Sequence, residues 1–463
     1  MRLFYFTHRK LSSSVKNLIK TLKNIWSIEE LRSKILYTLL LLFIYRVGTH
    51  IVLPGIDPDR LSEGTGNNGI LGLIDTFAGG AFSQASILAL GIMPYISASI
   101  FMQLMTVLVP QFQKMQKEGE SGRKKINQWT RYLTVAVTAV QASAYVQYLE
   151  NMARSNPGMI NPAYGGLFWL STVIVLTAGT MFVMWLGERI TDKGLGNGTS
   201  LIIMIGILAR LPQAFGQELT AKSVRTGSLL IFIIEIAILI AIIMGCILLV
   251  QGVRKIPVNY AKQIVGNRQF GGARQFLPIK VNSAGVMPII FAQAIMFLPT
   301  LFNFNSAIAA SETGQGLQAI FTDHSNVWYM VIYTVVVIGF TFLYTALIFN
   351  PKQIADNLKQ NNGFIPGVKP GQPTVDYIGA VMDKITLPGA ILLAMVGILP
   401  GIAQLLGVTQ NFSTFFGGTS LLIMVGVILD TLQQIETQLL MRQYDGLMKS
   451  GRIQGRQTLT QAY

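Results

Sequence analysis

The chain has 463 residues, of which 51% are hydrophobic and only 12% are charged, and its formal net charge is +15. This composition excludes a set of water-soluble domains, because no soluble-looking stretch exceeds about 35 residues, too few to support a core of its own. Apolar runs of about 18 or more residues recur instead, and this is the length that a helix needs to cross a bilayer. We therefore predict one integral membrane domain.

Residues 1–34 are predicted to form a cytoplasmic arm. The arm holds eight Lys and Arg residues and mixed polarity, without the short apolar core and small-residue cleavage site of a secretory signal. Targeting is therefore expected to depend on the first membrane span.

Ten apolar stretches are predicted to span the membrane as helices. They lie at residues 35–53, 91–109, 132–149, 167–187, 199–216, 227–250, 284–303, 327–349, 385–407 and 415–440. Five spans fall in residues 35–216 and five in residues 227–440, separated by an external loop at 217–226. An all-α protein of two five-helix halves is the expected architecture.

The distribution of Lys and Arg predicts the orientation of the spans. Thirty of the 36 basic residues lie in the arm, in alternate loops and in the tail at 441–463. Since cytoplasmic loops carry the excess of Lys and Arg, both termini are predicted to be cytoplasmic.

Two cytoplasmic loops, 251–283 and 350–384, are longer and more basic than insertion requires. Gly271 and Gly272 suggest a hairpin tip in the first loop, and the second reads as a short amphipathic helix followed by a Pro-Gly turn. Attraction to anionic lipid is one explanation, and docking of a large acidic partner, such as ribosomal RNA or a motor protein, is the one we prefer. The candidate docking residues are Arg254, Lys255, Lys262, Arg268, Arg274, Lys352, Lys359 and Lys369.

Signatures of catalysis, metal binding and ion coupling are missing from the sequence. The three His residues are scattered, and the chain contains no H-E-x-x-H, G-x-S-x-G or P-loop motif. The spans offer only Arg46, Glu235, Asp430 and Glu436 as ionisable groups, so no carboxylate cluster for an ion substrate is apparent. We expect no catalytic residues, no metal and no cofactor.

A short internal similarity suggests inverted repeats. TFAGGAFSQASILALGI at 76–92 and TFFGGTSLLIMVGVI at 414–428 share an aromatic residue, a Gly-Gly pair and a small polar start to an aliphatic run. Inverted repeats place a transport pathway at their interface.

Seven blocks, in order along nearly the whole chain, resemble the SecY family, whose members form the pore of the Sec protein translocon. The blocks are GIMPYISASI at 91–100, KEGESGRKKINQWTRY at 117–132, GTMFVMWLGERITDKGLGNGTS at 179–200, IPVNYAK at 256–262, LPIKVNSAGVMPIIFA at 277–292, FNPKQIADNLKQNNGFIPGVKPGQPT at 349–374 and FGGTSLLIMVGVILD at 416–430.

The resemblance implies two inverted halves around a central hourglass pore, closed on the outside by a short plug helix. The plug segment would be residues 70–88, a glycine-containing, half-polar stretch that can pack in a closed pore and also leave into water. An ordinary kinked span is the alternative. The plug residues implied are Ile70, Ile74, Asp75, Phe77, Gly79, Gly80 and Phe82.

A ring of aliphatic side chains at the pore constriction is also implied by the resemblance. The ring residues are Ile92, Ile96, Thr199, Ile203, Ile290 and Ile423. For any single isoleucine, core packing is the alternative. Thr199 departs from the aliphatic pattern, and its hydroxyl is expected either to bond the Leu195 carbonyl or to wet the ring. Lys369 stands where the family carries arginine and lacks its bidentate fork.

The function implied is a protein-conducting channel in the cytoplasmic (inner) membrane. It would translocate unfolded polypeptides and release hydrophobic segments sideways into lipid, between the spans at 91–109 and 284–303. The partners implied are SecE, SecG, the SecA ATPase and the ribosome. A secondary transporter with inverted repeats is the alternative.

Overall fold

A computed structural model describes most of the chain. The described residues are 26, 28–58, 75, 78–155, 158–161, 167–223, 228–260, 263–265, 268–270, 274–302 and 326–449. The helices are α1 Glu29–Gly48, α2 Met93–Leu108, α3 Pro110–Lys117, α4 Glu120–Ser155, α5 Leu167–Lys193, α6 Gly198–Ser223, α7 Ser228–Gln251, α8 Met287–Phe302, α9 Val327–Ile348, α10 Pro351–Gln360, α11 Gln372–Leu405, α12 Gln410–Ser413 and α13 Gly418–Lys449.

Each of the ten predicted stretches overlaps one of these helices. Six helical stretches of the described residues are long and apolar enough to cross a membrane, namely Leu167–Lys193, Gly198–Ser223, Leu230–Gln251, Val327–Gln360, Gln372–Leu405 and Gly418–Met441. The bent pair Met93–Thr106 and Pro110–Gln116, with an angle of 99°, makes a seventh if it is counted as one span. The protein is therefore a multi-pass helical membrane protein, and the count of ten spans stays a prediction.

The helices do not end where the apolar stretches end. α4 and α11 begin well before the predicted spans at 132 and 385, and α6 continues to Ser223, so the predicted external loop at 217–226 is helical over its described part. A helix satisfies its own backbone hydrogen bonds and can continue into water, whereas hydropathy marks only the part in lipid.

The described part of the plug segment is mostly not helical. Asp75 and Ala78 have helical backbone, but residues 79–88 form turns. Gly79, Gly80 and Ala85 have φ of 66°, 94° and 44°, in the left-handed region where an α-helix cannot continue. The expected plug helix is therefore wrong for residues 79–88, and residues 70–74, 76 and 77 lie outside the described residues.

The helices pack as two groups that meet at α6. α1, α2, α4 and α5 contact one another on one side, and α7, α8, α9, α11 and α13 do so on the other. α6 contacts α1 and α5 in the first group and α7, α12 and α13 in the second. This helix is the main junction between the two groups.

The basic loop at 251–283 forms a β-hairpin. Its strands are β1 Val253–Tyr260, β2 Gln263–Val265, β3 Arg268–Phe270 and β4 Arg274–Lys280, all antiparallel. Val265 pairs with Arg268, the last pair of this ladder. The predicted tip at Gly271 and Gly272 lies outside the described residues.

The second basic loop packs on the base of this hairpin. The expected amphipathic helix is α10, and the strand β5 Gly363–Phe364 that follows pairs with β1 and makes a three-stranded sheet in the order β4-β1-β5. Alternate β1 residues, Ile256 and Val258, are buried against Leu358 of α10 and Ile378 of α11. The two loops thus form one folded unit at the N-terminal end of α11.

Candidate functional site

Four of the six ring residues lie in one apolar cluster. Ile92, Ile203 and Ile423 are buried in it, and Ile96 packs against them. These residues come from the start of α2, from α6 and from α13, so helices of both groups contribute to the cluster. The remaining two ring residues, Thr199 and Ile290, are half-buried and do not belong to this cluster.

The Thr199 hydroxyl makes a local bond that the sequence interpretation missed. Its Oγ1 donates to Oδ1 of Asn197 at 2.7 Å, rather than to the Leu195 carbonyl. Oδ1 of Asn197 also accepts the backbone N–H of Thr199 at 3.1 Å. Asn197 therefore caps the start of α6, a role that asparagine just before a helix could have indicated. The threonine methyl faces α5, where a Cβ added at Gly187 would lie 3.2 Å from it.

The plug segment is held by a buried carboxylate. Asp75 is 1% exposed. Its Oδ1 accepts the backbone N–H of Ser83 at 2.9 Å, and its Oδ2 accepts the Ser83 hydroxyl and pairs with the guanidinium of Arg210 on α6. A carboxylate buried this deeply is stable only when it is paired and hydrogen-bonded.

Two close backbone approaches accompany this contact. Arg46 on α1 donates from Nη1 to the Gly79 carbonyl at 3.1 Å. A Cβ at Gly79 would lie 2.8 Å from Cα of Gly206 on α6, so the segment rests directly on that helix. Charge inside an apolar span was the available signal for Arg46, whereas Arg210 looked like an ordinary external basic residue.

Phe82 and the residues after it belong to the core of the first helix group. Phe82 and Ala81 are buried with Leu149 of α4 and Leu176 of α5. The Tyr145 hydroxyl donates to the Phe82 carbonyl at 2.7 Å, and the two rings are 4.5 Å apart. Of the other plug residues, Gly80 lies in the described turns, and Ile70, Ile74 and Phe77 lie outside the described residues.

The docking residues with described side chains are all exposed. Arg254 and Lys255 are exposed on β1, Lys352 and Lys359 on α10, and Lys369 in the turn before α11. The backbones of Arg268 and Arg274 lie in β3 and β4, without description of their side chains, and Lys262 lies outside the described residues. β5 pairs with β1 and so joins the two loops that carry these positive charges.

A second buried ionic group lies where α6, α7 and the loop before α12 meet. We call it the junction cluster, and it consists of Glu218, Lys222, Glu235 and Thr409. Nζ of Lys222 lies 2.9 Å from Glu235 and 3.5 Å from Glu218, which is 0% exposed. The Thr409 backbone N–H donates to Glu218 at 2.9 Å. The sequence analysis singled out Glu235 as an ionisable group in a span, but its pairing with Lys222 and the contact of Glu218 with Thr409 join different elements and require the fold.

Metal binding has no candidate site in the described residues. No group of three or more His, Cys, Asp or Glu side chains that could hold a metal ion occurs in that part of the chain. The polar groups described above bond to one another and to backbone, so their arrangement positions segments of the chain.

Two groups of membrane helices joined at one helix, with apolar residues from both around the junction, define a multi-pass helical membrane protein built in two parts. The model of the SecY family matches residues 86–432. The chain belongs to the SecY family.

Curated relatives match along almost their whole length. The protein translocase subunit SecY of Streptomyces galbus is 41% identical over 435 residues, covering 91% of this chain and 97% of the relative. The same subunit of Thermotoga maritima is 41% identical over 442 residues, covering 94% and 99%. That of Chlamydia muridarum is 39% identical over 457 residues, covering 94% and 99%.

Solved structures show the same fold at low sequence identity. A structure described as that of a protein conducting channel is 16% identical, with a TM-score of 0.57 over 87% of this chain and 91% of the other. Sec61 in the canine ribosome-channel complex from the endoplasmic reticulum is 15% identical, with a TM-score of 0.52 over the same shares.

Proposed function

We propose that this protein is the pore subunit of a Sec translocon, which translocates unfolded polypeptides and releases hydrophobic segments sideways into the membrane. Its family membership and channel fold establish a protein-conducting translocase subunit. The observation that carries the finer proposal is the apolar cluster of Ile92, Ile203 and Ile423, drawn from helices of both groups.

The proposed architecture is ten spans in two inverted halves around an hourglass pore. The ring of six residues forms its constriction, and the plug segment closes its outer funnel. Aliphatic side chains suit a constriction because they fit around a passing chain, offer it no hydrogen bonds and favour dewetting when the pore is empty. The helix groups meeting at α6 support this arrangement, since a gate between two groups can open about one junction.

The proposed setting is the cytoplasmic membrane, with both termini cytoplasmic. The exposed basic surface of β1 and α10 would dock the ribosome and the SecA ATPase in turn, and SecE and SecG would contact the helices from lipid. The ribosome complex of the canine Sec61 structure supports the first partner. The energy for translocation would come from these partners, so the chain itself is proposed to perform no covalent chemistry.

Crosslinking of a stalled secretory chain tests this proposal. A photoreactive residue placed at Ile203, Ile423 or Ile290 should crosslink to the translocating segment. The control position is Ile240 on α7, which is 54% exposed and faces away from the cluster. Equal crosslinking at all positions, together with uptake of a labelled solute by purified protein in vesicles, would favour the secondary transporter instead.

A further inference from the structure

We propose that the outward face of the sheet β4-β1-β5 binds single-stranded RNA, and that Phe276 and Phe364 each stack on an unpaired base. The inference rests on the proposed function, in which the two basic loops dock the ribosome. It deepens that function, because it assigns base recognition to aromatic side chains, which the positive charges of the loops do not explain.

The register of the sheet separates its two faces. Ile256 and Val258 of β1 are buried against α10 and α11, so the β1 residues that alternate with them point outward. Residues paired across neighbouring antiparallel strands lie on the same face. We call the outward face the aromatic face, and it consists of Val253, Lys255, Pro257 and Asn259 of β1, Phe276, Pro278 and Lys280 of β4, and Phe364 of β5.

Both phenylalanine rings of the aromatic face are open to solvent. Phe276 is 56% exposed and Phe364 is 41% exposed, and neither belongs to the apolar cluster on the other side of the sheet. A single exposed apolar side chain needs no explanation. Two exposed rings on one face of a small sheet, neither of which adds to the core, indicate a surface that a partner covers.

The surroundings of the two rings are positively charged. Lys255 and Lys280 are exposed on the aromatic face, and the strands β1, β4 and β5 contain no acidic residue. Cations next to aromatic rings suit a chain of phosphates that carries flat bases, which is the chemistry of a single-stranded nucleic acid. Aromatic side chains on an open sheet face stack bases in RNA-binding domains.

The spacing of the rings favours RNA over a protein as the occupant. Phe276 lies opposite Pro257 on one side of β1, and Phe364 lies opposite Asn259 on the other side. Two strand spacings and two residues along the strand separate their backbones by roughly 12 Å. The centre of a protein interface is a continuous apolar surface. Two separate rings can instead each stack on one base, and the Asn259 amide between them can bond a base edge.

Titration of ribosomes against the full chain, with its partner subunits in lipid nanodiscs, tests the proposal. Phe276→Ala and Phe364→Ala should each weaken binding by about 5- to 150-fold, the effect of losing one stacked base. Since phenylalanine releases no counterions, the slope of log affinity against log salt should not change in these variants. Lys280→Gln, on the same face, should reduce this slope.

Two further substitutions at Phe276 separate base stacking from simple apolar contact. Phe276→Leu keeps an apolar side chain without a ring, so it should bind nearly as weakly as Phe276→Ala. Phe276→Trp keeps a ring and should bind at least as tightly as the native chain. Phe43→Leu is the matched control, because it removes an exposed ring from α1, within a predicted span, and should change nothing.

A photoreactive phenylalanine analogue at position 276 identifies the occupant directly. It should crosslink to ribosomal RNA, so that ribonuclease removes most of the crosslinked mass. Crosslinks to protein or lipid alone would overturn the proposal, and so would a Phe276→Leu variant that binds like the native chain. The analogue keeps the ring, so this result decides the matter even if another variant lowers the midpoint of thermal unfolding.

The charge variants separate failure of this proposal from failure of the proposed function. If Lys280→Gln and Arg254→Glu reduce the salt slope while the phenylalanine variants bind normally, ribosome docking stands and base stacking is wrong. If none of these variants changes binding, both the stacking and the docking of the ribosome on these loops are wrong.

Discussion

Gly179 shows how a single residue sets the distance between two segments. It lies on α5, where a Cβ would be 2.2 Å from the carbonyl oxygen of Ile87, within the turns of the plug segment. No side-chain rotation can relieve such a contact, because the other atom belongs to the backbone. Small residues at helix interfaces serve this close approach in membrane proteins.

We predict that Gly179→Ala destabilises the protein by about 1–3 kcal/mol, the usual cost of overpacking. Gly245→Ala on α7 is the matched control, since a Cβ there meets no atom within 4 Å. That control should be neutral or more stable by about 0.5–1 kcal/mol, because alanine loses less entropy than glycine in a helix. Thermal unfolding in detergent measures both, and equal midpoints would contradict the close approach.

For single residues, the sequence predicted the kind of environment more reliably than the residue to which each side chain bonds. Four ring residues lie in one cluster, as the resemblance implied, and their role in the pore stays a prediction. The bond from Thr199 to Asn197 and the pair of Asp75 with Arg210 were not predicted. The first could have been inferred from the capping position, whereas the second joins residues far apart in the chain and requires the fold.

At the scale of elements, length and apolar content predicted that helices exist but not where they end. Each predicted span lies on a helix, yet α6 reaches Ser223 and α13 reaches Lys449. Lys222 and Glu218 are four residues apart on α6 and face each other, which favours continuation of the helix beyond its apolar part. Polar side-chain pairs of this kind are invisible to hydropathy.

The hairpin and α10 form the element most open to a direct test of partner binding. Arg254, Lys255 and Lys359 are exposed on one folded unit, and contacts from such cations to RNA phosphates release counterions. We predict that Arg254→Glu and Lys359→Glu each flatten the salt dependence of ribosome binding. Each lost phosphate contact should reduce the slope of log affinity against log salt by about 0.7–0.9.

Arg268→Glu, at the first residue of β3, should flatten the slope further if this part of the hairpin contacts RNA. Arg154→Glu is the control for net charge, because its position is predicted to be on the opposite side of the membrane. A titration of ribosomes at several salt concentrations gives the slopes. Identical slopes in all variants would show that this surface does not contact phosphate.

At the scale of the whole molecule, the two helix groups are held together mainly through α6. Apolar contacts with α7, α12 and α13 supply part of this junction. A polar contact between the groups away from α6 is the bond that Tyr344 of α9 donates to Gln103 of α2 at 3.0 Å. The contacts of α6 and this bond therefore lie on different helices.

The junction cluster supplies ionic contacts where α6 meets α7. Lys222 lies between Glu218 on α6 and Glu235 on α7, and it also donates to the Gly407 carbonyl at 3.0 Å. Without the ammonium, two buried carboxylates from adjoining helices would face each other. Removal of one partner from a buried ionic group costs about 3–5 kcal/mol, because the charges that remain are left unpaired.

We predict that Lys222→Met biases the two groups toward separation and lowers the hydrophobicity that a segment needs to enter lipid. Insertion of a segment into the membrane is favoured by roughly 0.3–0.6 kcal/mol of free energy for each Leu near its centre. If about 1.4 kcal/mol of the lost pairing, a tenfold change in equilibrium, favours the open gate, the insertion midpoint should move by about two to five Leu residues. The inserted fraction of a graded Leu/Ala segment in cells measures this midpoint.

Adding Glu218→Gln and Glu235→Gln to Lys222→Met removes the repulsion and should return the midpoint toward its original value. A midpoint that stays shifted in this triple variant would mean that lost packing, rather than charge, loosens the junction.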